Sequence, residues 1–421
     1  GGETWFQTGL RFDLNAGSGN FTFGYKLLMD PDDPNTLFAA TSNGLWRTEN
    51  GGIEWELVLT GSVTDIEFRP DNPEVIYAVT PTTFWRSELG GDMFDDITCG
   101  ITNTGVRMAL AVTPADPDYV YILSGGNLQD GMGANMAGTF RGLYQSTNGG
   151  DCFMQQSTSP NILDISANGT ETRQQATYDL ALAASNTDAE VIFVGGINTW
   201  RSTNAGVDWE RVTFWNENSA AAGEYNHADV HTLDYIGNTL YSGSDGGVYR
   251  SDDDGENWTN LSQGLRITQF YRIDVFTDDG TDYVMGGAQD NGLNQIRNSG
   301  SGFGPLEHWE GADGFGVVSD VDNGYTFGAI QFGTVFRFEY PSGSFDAKSP
   351  PNAGDGPFLS PIAIDHNPNP DHIFAGLQDV YRSEDSGDSW TNISNGLIDG
   401  NDCRQIALAP SDGNYVYVTK P

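Results

Sequence analysis

The segment TFWNENSAAAGEYNHADVH, residues 213–231, ends in three residues whose side chains could do chemistry together. His227, Asp229 and His231 are spaced at i, i+2 and i+4, which on an extended strand places all three on one face. Two imidazoles and a carboxylate can hold a transition metal, or Asp229 can fix a histidine tautomer for acid–base catalysis. Alternatively, the three are hydrogen-bonded groups that line a polar channel. No cofactor is required by this pattern, and Ca²⁺ or another divalent metal is the candidate ion.

Aspartates also recur in glycine-rich loops farther along the chain. Asp245 lies in GSDGG, Asp290 in GGAQDNG, Asp313 in GADGFG and Asp379 in GLQDV. A pair of such carboxylates could act as the general acid and base of a glycosidase, and the candidate catalytic residues are Asp229, Asp290 and Asp313. The same aspartates could bind calcium or glycan hydroxyls, or satisfy tight turns, because Asp-Gly and Asp-Asn-Gly are ordinary turn signals.

Aromatic and amide side chains near these loops are candidates for ligand contacts. Trp215 fits no repeat pattern and, with Tyr225, lies in the long segment before His227. An exposed ring there could stack on a sugar or on a partner's side chain, and core packing is the alternative. The predicted ligand-binding residues are Trp215, Tyr225, Asp245, Gln289, Asn291, Gln331, Gln378 and Asp379.

One turn pattern recurs along the chain and determines how the loops are positioned. RSDDDGENWTNLSQGL at 250–265 returns as RSEDSGDSWTNISNGL at 382–397, with the spacing Ser/Thr-x-Asp/Asn-x-Gly-x-x-aromatic. The hydroxyl and the Asx side chain can bond local backbone, the glycine supplies a left-handed position, and the ring anchors the turn on the core. A calcium loop of the EF-hand type is disfavoured, because no bidentate glutamate follows at the required position.

These segments are called the repeated turns below. The full copies are Thr48-Asn50-Gly52-Trp55, Ser146-Asn148-Gly150-Phe153, Ser202-Asn204-Gly206-Trp209, Ser251-Asp253-Gly255-Trp258 and Ser383-Asp385-Gly387-Trp390, and a degenerate copy is Ser87-Gly91-Phe94. A unique active site does not recur in this way, so the pattern predicts a structural role.

The repeated turns resemble the Asp-box (BNR) repeats of sialidases, xyloglucan-degrading glycosidases and sortilin/Vps10-type receptors, all of which are β-propellers. In those families the boxes lie on the face away from the ligand site. A sialidase is disfavoured, because its arginine cluster, Tyr/Glu pair and early Arg-Ile-Pro motif are not apparent. Xyloglucan-type glycosidases pair two seven-bladed propellers, for which this chain is too short. GGAQDNG and GSDGGVYRSDDDG are similar to stretches of secreted sortilin-like and BNR glycosyl hydrolase-like bacterial proteins.

The resemblance and the repeat spacing predict an all-β fold, a single large β-propeller of four-stranded blades over residues 1–421. It has eight full repeats plus a split repeat formed by the two chain ends. The predicted repeats are 23–61, 62–105, 106–175, 176–226, 227–267, 268–312, 313–356 and 357–400, with 401–421 joined to 1–22 as the split repeat.

Composition narrows the function classes. The net charge is −39, from 58 acidic and 19 basic residues, so nucleic acid and anionic membrane surfaces would repel the protein. Such acidity suits a secreted protein in salty or calcium-containing water, or serves solubility alone. Three cysteines allow at most one disulfide. No apolar run reaches membrane-spanning length and no signal peptide is seen, so we expect a chain that begins after a processing site or is a fragment.

Together these features predict a secreted or cell-surface module for recognition or surface assembly. Its partner would be a glycan or an extracellular protein, bound at the loop face opposite the Asp boxes, with no nucleic acid and no membrane insertion. The chain could be part of a larger protein or surface assembly. The alternative is a glycoside hydrolase that acts on a plant or marine β-glucan with paired aspartates.

Overall fold

The computed structural model describes residues 4–10, 23–126, 140–172, 175–216, 220–221, 223–265, 267–298, 300, 302–304, 306–340, 343–351, 356–367, 371–395 and 402–420. The chain forms two compact units, Gly1–Gly264 and Leu265–Pro421. The described part of the first unit holds five four-stranded sheets, and that of the second holds three four-stranded sheets and one two-stranded sheet.

In the first unit each sheet is formed by four strands that are consecutive in the chain. Sheet 1 contains β1 (Gly24–Met29), β2 (Leu37–Thr41), β3 (Gly44–Thr48) and β4 (Glu56–Thr60). Sheet 2 contains β5 (Asp65–Arg69), β6 (Asn72–Val79), β7 (Phe84–Ser87) and β8 (Asp95–Asp96). Sheet 3 contains β9 (Arg107–Val112), β10 (Val120–Gly125), β11 (Phe140–Ser146) and β12 (Met154–Ser157). Sheet 4 contains β13 (Ala181–Ala184), β14 (Ile192–Gly195), β15 (Thr199–Ser202) and β16 (Glu210–Arg211). Sheet 5 contains β17 (Val230–Ile236), β18 (Thr239–Ser244), β19 (Gly247–Ser251) and β20 (Thr259–Asn260).

The second unit repeats the same order. Sheet 6 contains β21 (Phe270–Asp278), β22 (Thr281–Ala288), β23 (Gly292–Asn298) and β24 (Glu307–Glu310). Sheet 7 contains β25 (Gly314–Asp320), β26 (Tyr325–Ile330), β27 (Val335–Glu339) and β28 (Ser344–Ala347). Sheet 8 contains β29 (Ile362–Asp365), β30 (His372–Gly376), β31 (Val380–Ser383) and β32 (Thr391–Asn392), and the two-stranded sheet 9 pairs β33 (Gln405–Ala409) with β34 (Asp412–Thr419). Two short 3-10 helices, Val321–Asn323 and Gln331–Gly333, lie in sheet 7 loops.

All of these pairings are antiparallel, and each of the eight predicted full repeats contains one four-stranded sheet. The predicted all-β fold of four-stranded repeats is therefore confirmed. Residues 11–22 of the predicted split repeat lie outside the described residues, and the joining of the two chain ends and the single domain stay predictions. Neither of the 3-10 helices in the described part of the chain is long or apolar enough to cross a membrane.

The apolar residues pack between consecutive sheets. In β10 every residue is buried, because its sheet is covered on both faces, whereas the short fourth strands such as β8 are exposed. One cluster joins Phe38 of sheet 1 to Ile76 of sheet 2, and another joins Leu143 of sheet 3 to Ile192 of sheet 4. Within each unit, the first strands of successive sheets also contact one another. Side chains at the starts of these first strands are therefore neighbours, which positions the candidate site.

The repeated turns carry the hydrogen bonds that their spacing predicts. In the copy at Ser251, the hydroxyl donates to Asp253 Oδ1 over 2.9 Å and accepts the N–H of Gly255 over 2.8 Å. The Asx oxygen then accepts a backbone N–H four residues later, as Asp253 does from Asn257. The copies at Thr48, Ser146, Ser202 and Ser383 make the same contacts.

Arginines on third strands hold the turn of the next sheet. Arg86 of β7 donates to Gly149 O over 2.9 Å and pairs with Asp151 over 2.6 Å, and Arg201 of β15 donates to Asp254 O over 2.6 Å. Arg47 and Arg337 make the equivalent contacts, with Gly90 O and Ser386 O. Basic residues are scarce in this chain, and these four arginines connect neighbouring sheets.

A disulfide between Cys99 and Cys152 adds a covalent link between sheets 2 and 3. Cys403 is a buried free thiol. The expectation of at most one disulfide is confirmed.

Candidate functional site

In the first unit, acidic and aromatic side chains converge where the first strands of sheets 3, 4 and 5 begin. We call this group the carboxylate cluster, and it consists of Tyr178, Asp179, Asp229, His231 and Asp245. Tyr178 and Asp179 lie one residue before β13, with Leu180 between them and the strand. Asp229 immediately precedes β17, His231 lies in β17, and Asp245 lies in the turn between β18 and β19. The strands β9, β13 and β17 are side by side, so residues distant in sequence meet here.

Asp245 organises the exposed part of the cluster. Its Oδ1 lies 2.8 Å from His231 Nε2, and its Oδ2 accepts the hydroxyl of Tyr178 over 2.9 Å. The Tyr178 and His231 rings stand edge to face with centroids 4.7 Å apart, and Tyr178 remains 48% exposed. The hydrogen bond to Asp245 raises the pKa of His231, although burial opposes it. The result is a fixed, accessible aromatic surface bordered by a carboxylate and an imidazole.

Asp229 is held in a strained conformation beside this surface. Its φ is +64°, a left-handed value, and its Oδ1 accepts the Gln175 amide over 2.8 Å. Burial and then the charge of Asp245 raise the pKa of Asp229 above its ordinary value. Asp229 therefore retains its proton to a higher pH than a solvated aspartic acid, which is the property of a proton donor.

Asp179 is the most buried member, with an exposure of 1%. Neither of its carboxylate oxygens has a hydrogen-bond partner on another described residue. Burial, followed by the charge of Asp229, raises the pKa of Asp179 well above its ordinary value. The charge of the nearby Arg107, whose guanidinium donates to Tyr178 O over 3.0 Å, lowers the pKa of Asp179 only in part. Asp179 and Asp229 are thus two neighbouring carboxyl groups whose pKa values are both raised.

The substitution Asp179→Asn tests this protonation. Because native Asp179 has the raised pKa, the unfolded chain loses this proton first as the pH rises, and the free energy of unfolding then falls. One linked proton contributes a slope of at most about 1.4 kcal/mol per pH unit. We expect the stability of the variant relative to wild type to increase as the pH rises from about 4, the ordinary pKa of an aspartic acid, through the neutral range. Urea denaturation across that range measures the effect.

The matched control is Asp95→Asn, which removes an exposed carboxylate of the same unit. The control should show no such pH-dependent gain. The assignment would be contradicted if both variants followed wild type with the same pH trend.

The structure does not support the predicted metal site of His227, Asp229 and His231. Among the described residues, no group of three or more histidine, cysteine or acidic side chains could hold a metal ion. The strand starts only at Val230, the left-handed Asp229 breaks the alternation, and the register shifts between Val230 and Thr232. His231 instead binds Asp245, while the Nδ1 of His227 lies 3.1 Å from the Ala228 carbonyl oxygen.

The second unit brings together Asp290 and Asp313, the other two candidate catalytic residues. Asp313 Oδ1 accepts the backbone N–H of Asp290 over 3.1 Å, and Gln331 Oε1 accepts the N–H of Asp313 over 3.1 Å. Asp290 has a φ of +55°, so the Asp313 carboxylate supports a strained turn. Burial and then the charges of Asp313 and Asp290 raise the pKa of Tyr271. The two loops are adjacent, and the hydrogen bonds favour the turn-satisfying interpretation of Asp313.

The other predicted ligand-binding residues mostly have structural contacts. Trp215 is half-buried and donates its indole N–H to Ile165 O over 3.1 Å, and Tyr225 packs on Tyr249. Asp379 accepts from Ser394 over 2.5 Å and from Asn392 over 2.8 Å. The remaining three are Gln289 and Asn291, both half-buried, and Gln378, which is exposed.

Sequence reasoning missed Tyr178, Asp179, Gln175 and Arg107. A signal exists in the repeats, because Asp65, Asp179 and Asp229 each stand directly before an apolar residue that lies within one residue of the start of a first strand. Asp65 uses this position to accept the N–H of Leu110 over 2.8 Å. An alignment of the repeats on their first strands, instead of on their turns, would have placed Asp179 beside Asp229.

No protein-family model matches the chain. Xyloglucanase Xgh74A of Acetivibrio thermocellus is 37% identical over 59 residues, which are 14% of this chain and 7% of that protein. Among solved structures, an ancestral GH74 enzyme is similar at a TM-score of 0.42 and 15% identity, with 92% of this chain and 57% of that chain covered. The GH74 xyloglucanase from Xanthomonas campestris has a TM-score of 0.34 and 19% identity, with 85% of this chain and 50% of that chain covered. YCF48 from Cyanidioschyzon merolae has a TM-score of 0.38 and 13% identity, with 73% and 92% covered. The chain thus spans just over half of these GH74 structures at most, and the TM-scores are too low to bear on function.

Proposed function

We propose that the protein is an extracellular recognition module that binds a glycan at the carboxylate cluster. The observation that carries this proposal is the exposed ring of Tyr178, fixed by its hydroxyl to Asp245 beside His231. An exposed aromatic ring offers a face on which the apolar side of a sugar can pack, and bordering acceptors and donors can meet its hydroxyls. Because the ring is already held in place, little side-chain entropy is lost on binding.

Two other parts of the proposal, the extracellular location and the Asp-box propeller fold, are supported by other observations. The Cys99–Cys152 disulfide is typical of proteins that fold in an oxidising compartment outside the cytosol. The hydrogen bonds of the repeated turns favour their interpretation as Asp boxes of a closed β-propeller, of the secreted sortilin-like and BNR type. In such a propeller the cluster would lie on the ligand-binding loop face.

The test is a binding assay with soluble xyloglucan, mixed-linkage β-glucan and marine polysaccharides as probes. Affinity electrophoresis or calorimetry should find at least one binder, and Tyr178→Ala should weaken it by at least about tenfold, as expected for loss of a stacking ring. Tyr178→Phe keeps the ring and loses only the hydrogen bond to Asp245, so it should retain most of the affinity.

Tyr415→Ala, which removes an exposed tyrosine of the second unit, is the control. Equal binding by wild type and Tyr178→Ala would contradict the proposal, as would no binding to any probe.

Glycoside hydrolysis is the second candidate, and the raised pKa of Asp229 favours it. A protonated carboxylic acid near an ionised one is the arrangement with which glycosidases protonate the leaving-group oxygen. The short match to a xyloglucanase is in keeping with this candidate. The test is release of reducing ends from the same polysaccharides. This candidate would be favoured if Asp229→Asn abolished the release and Asp290→Ala/Asp313→Ala did not, and the catalytic acid would then lie in the first unit.

A further inference from the structure

The second unit contains a pocket of about 390 Å³ along its first strands. Ile273 comes from β21, Val317 from β25, Ile362 from β29 and Ile406 from β33. Tyr271, whose ring lies 4.7 Å from that of Phe315, adds an aromatic wall. A cavity of this size and composition fits the apolar body of a small molecule.

Two arginines, Arg272 and Arg404, also line this pocket. Both are exposed, and within the described part of the chain neither side chain has an ion pair or a hydrogen bond. This sets them apart from third-strand arginines such as Arg337, which pairs with Asp388 and binds the next turn. Arg272 and Arg404 lie on or beside first strands, where no repeated turn needs them.

Charge determines which ligand such a pocket selects. In a protein with a net charge of −39, two exposed guanidiniums that have no acidic partner among the described residues offer a local site for an anion. A guanidinium fork binds a carboxylate through paired, charge-assisted hydrogen bonds. The charges of Asp290 and Asp313 reach Tyr271, where they raise its pKa and would oppose an anion, so an anionic group needs the arginines beside it.

We propose that this pocket binds a small organic acid, with its apolar body against Ile273 and Val317 and its carboxylate between Arg272 and Arg404. The proposal does not depend on the glycan-binding proposal for the first unit. It assigns a role to the two arginines that the repeat architecture leaves unused.

The probe is 4-phenylbutyrate, with the neutral 4-phenylbutyramide as its isostere, titrated into the full chain by calorimetry or ligand-observed NMR. We expect the acid to bind at least about tenfold more tightly than the amide, and to lose this advantage in Arg272→Gln/Arg404→Gln. Raising the salt concentration should weaken the acid more than the amide, because salt screens the exposed guanidiniums. Ile273→Ala should weaken both probes.

The matched control is Arg297→Gln/Arg382→Gln, which removes the same charge from two other arginines of the second unit. It should leave the preference for the acid intact, with circular dichroism as a check on folding. Equal binding of acid and amide would overturn the proposal, as would equal losses in the two double variants. Failure of the acid to bind wild type would also overturn it.

Discussion

Replacing Cys99 and Cys152 by serine is expected to lower the free energy of unfolding by about 3 kcal/mol. The disulfide closes a loop of sequence separation 53, so its loss returns much conformational freedom to the unfolded chain. Cys99 follows the last strand of sheet 2, and Cys152 lies in the repeated turn of sheet 3. The N–H of Phe153 also donates to Cys99 O over 2.9 Å, so the disulfide links two segments that are already in contact.

Urea denaturation of the variant and of wild type, each with and without a reducing agent, measures the effect. Reduced wild type should unfold at nearly the same urea concentration as the variant. The variant should not respond to the reductant, because the remaining thiol, Cys403, is unpaired. An unchanged unfolding midpoint in the variant would contradict the prediction.

The sheets of this protein could be predicted from sequence because their signals are local. The repeated turns depend on contacts within about five residues, as between Ser251, Asp253 and Gly255. Each such turn marks the connection from a third strand to a fourth in sheets 1 to 5 and 8, and the Pro/Asx turns and strand patterns between them locate the remaining sheets. The predicted repeat ranges therefore each contain one observed sheet.

The carboxylate cluster could be predicted only in part, because it depends on contacts between repeats. Asp229, His231 and Asp245 were identified from spacing and glycine-rich context. Tyr178 and Asp179 were missed, since YDLAL reads as an ordinary strand start and its neighbours come from other sheets. The metal prediction assumed an extended strand through Asp229, and a single left-handed residue removes that premise.

The arginines likewise show that local sequence patterns can be recognised, whereas contacts between distant residues cannot. The aromatic-Arg-Ser pattern is visible in the sequence, but the partner of Arg201 is the turn 53 residues later. Only the structure separates such arginines from Arg272 and Arg404, which have no partner among the described residues. The anion site proposed for the second unit is therefore not apparent from composition, which gives only a net charge of −39.

Gly206→Ala is expected to destabilise the first unit by about 3 kcal/mol, from backbone strain and overpacking together. Gly206 has a φ of +88°, and an added methyl group would lie 1.9 Å from Leu143 Cδ2 of the preceding sheet. Gly150 and Gly255 make equivalent approaches to Phe84 and Phe193. The glycine of the repeated turn is thus required twice, for its left-handed backbone and for close packing between sheets.

Gly237→Ala separates these two requirements. Gly237 also has a left-handed φ, +62°, and lies in the same unit, but a methyl group there would meet no atom within 4 Å. Its replacement should cost only about 1 kcal/mol, which is the backbone strain alone. Equal losses of stability in the two variants, measured by urea denaturation, would contradict the packing argument. A larger loss at Gly206 would mean that this repeated turn packs sheet 4 against the sheet before it, which gives its spacing a structural reason to recur.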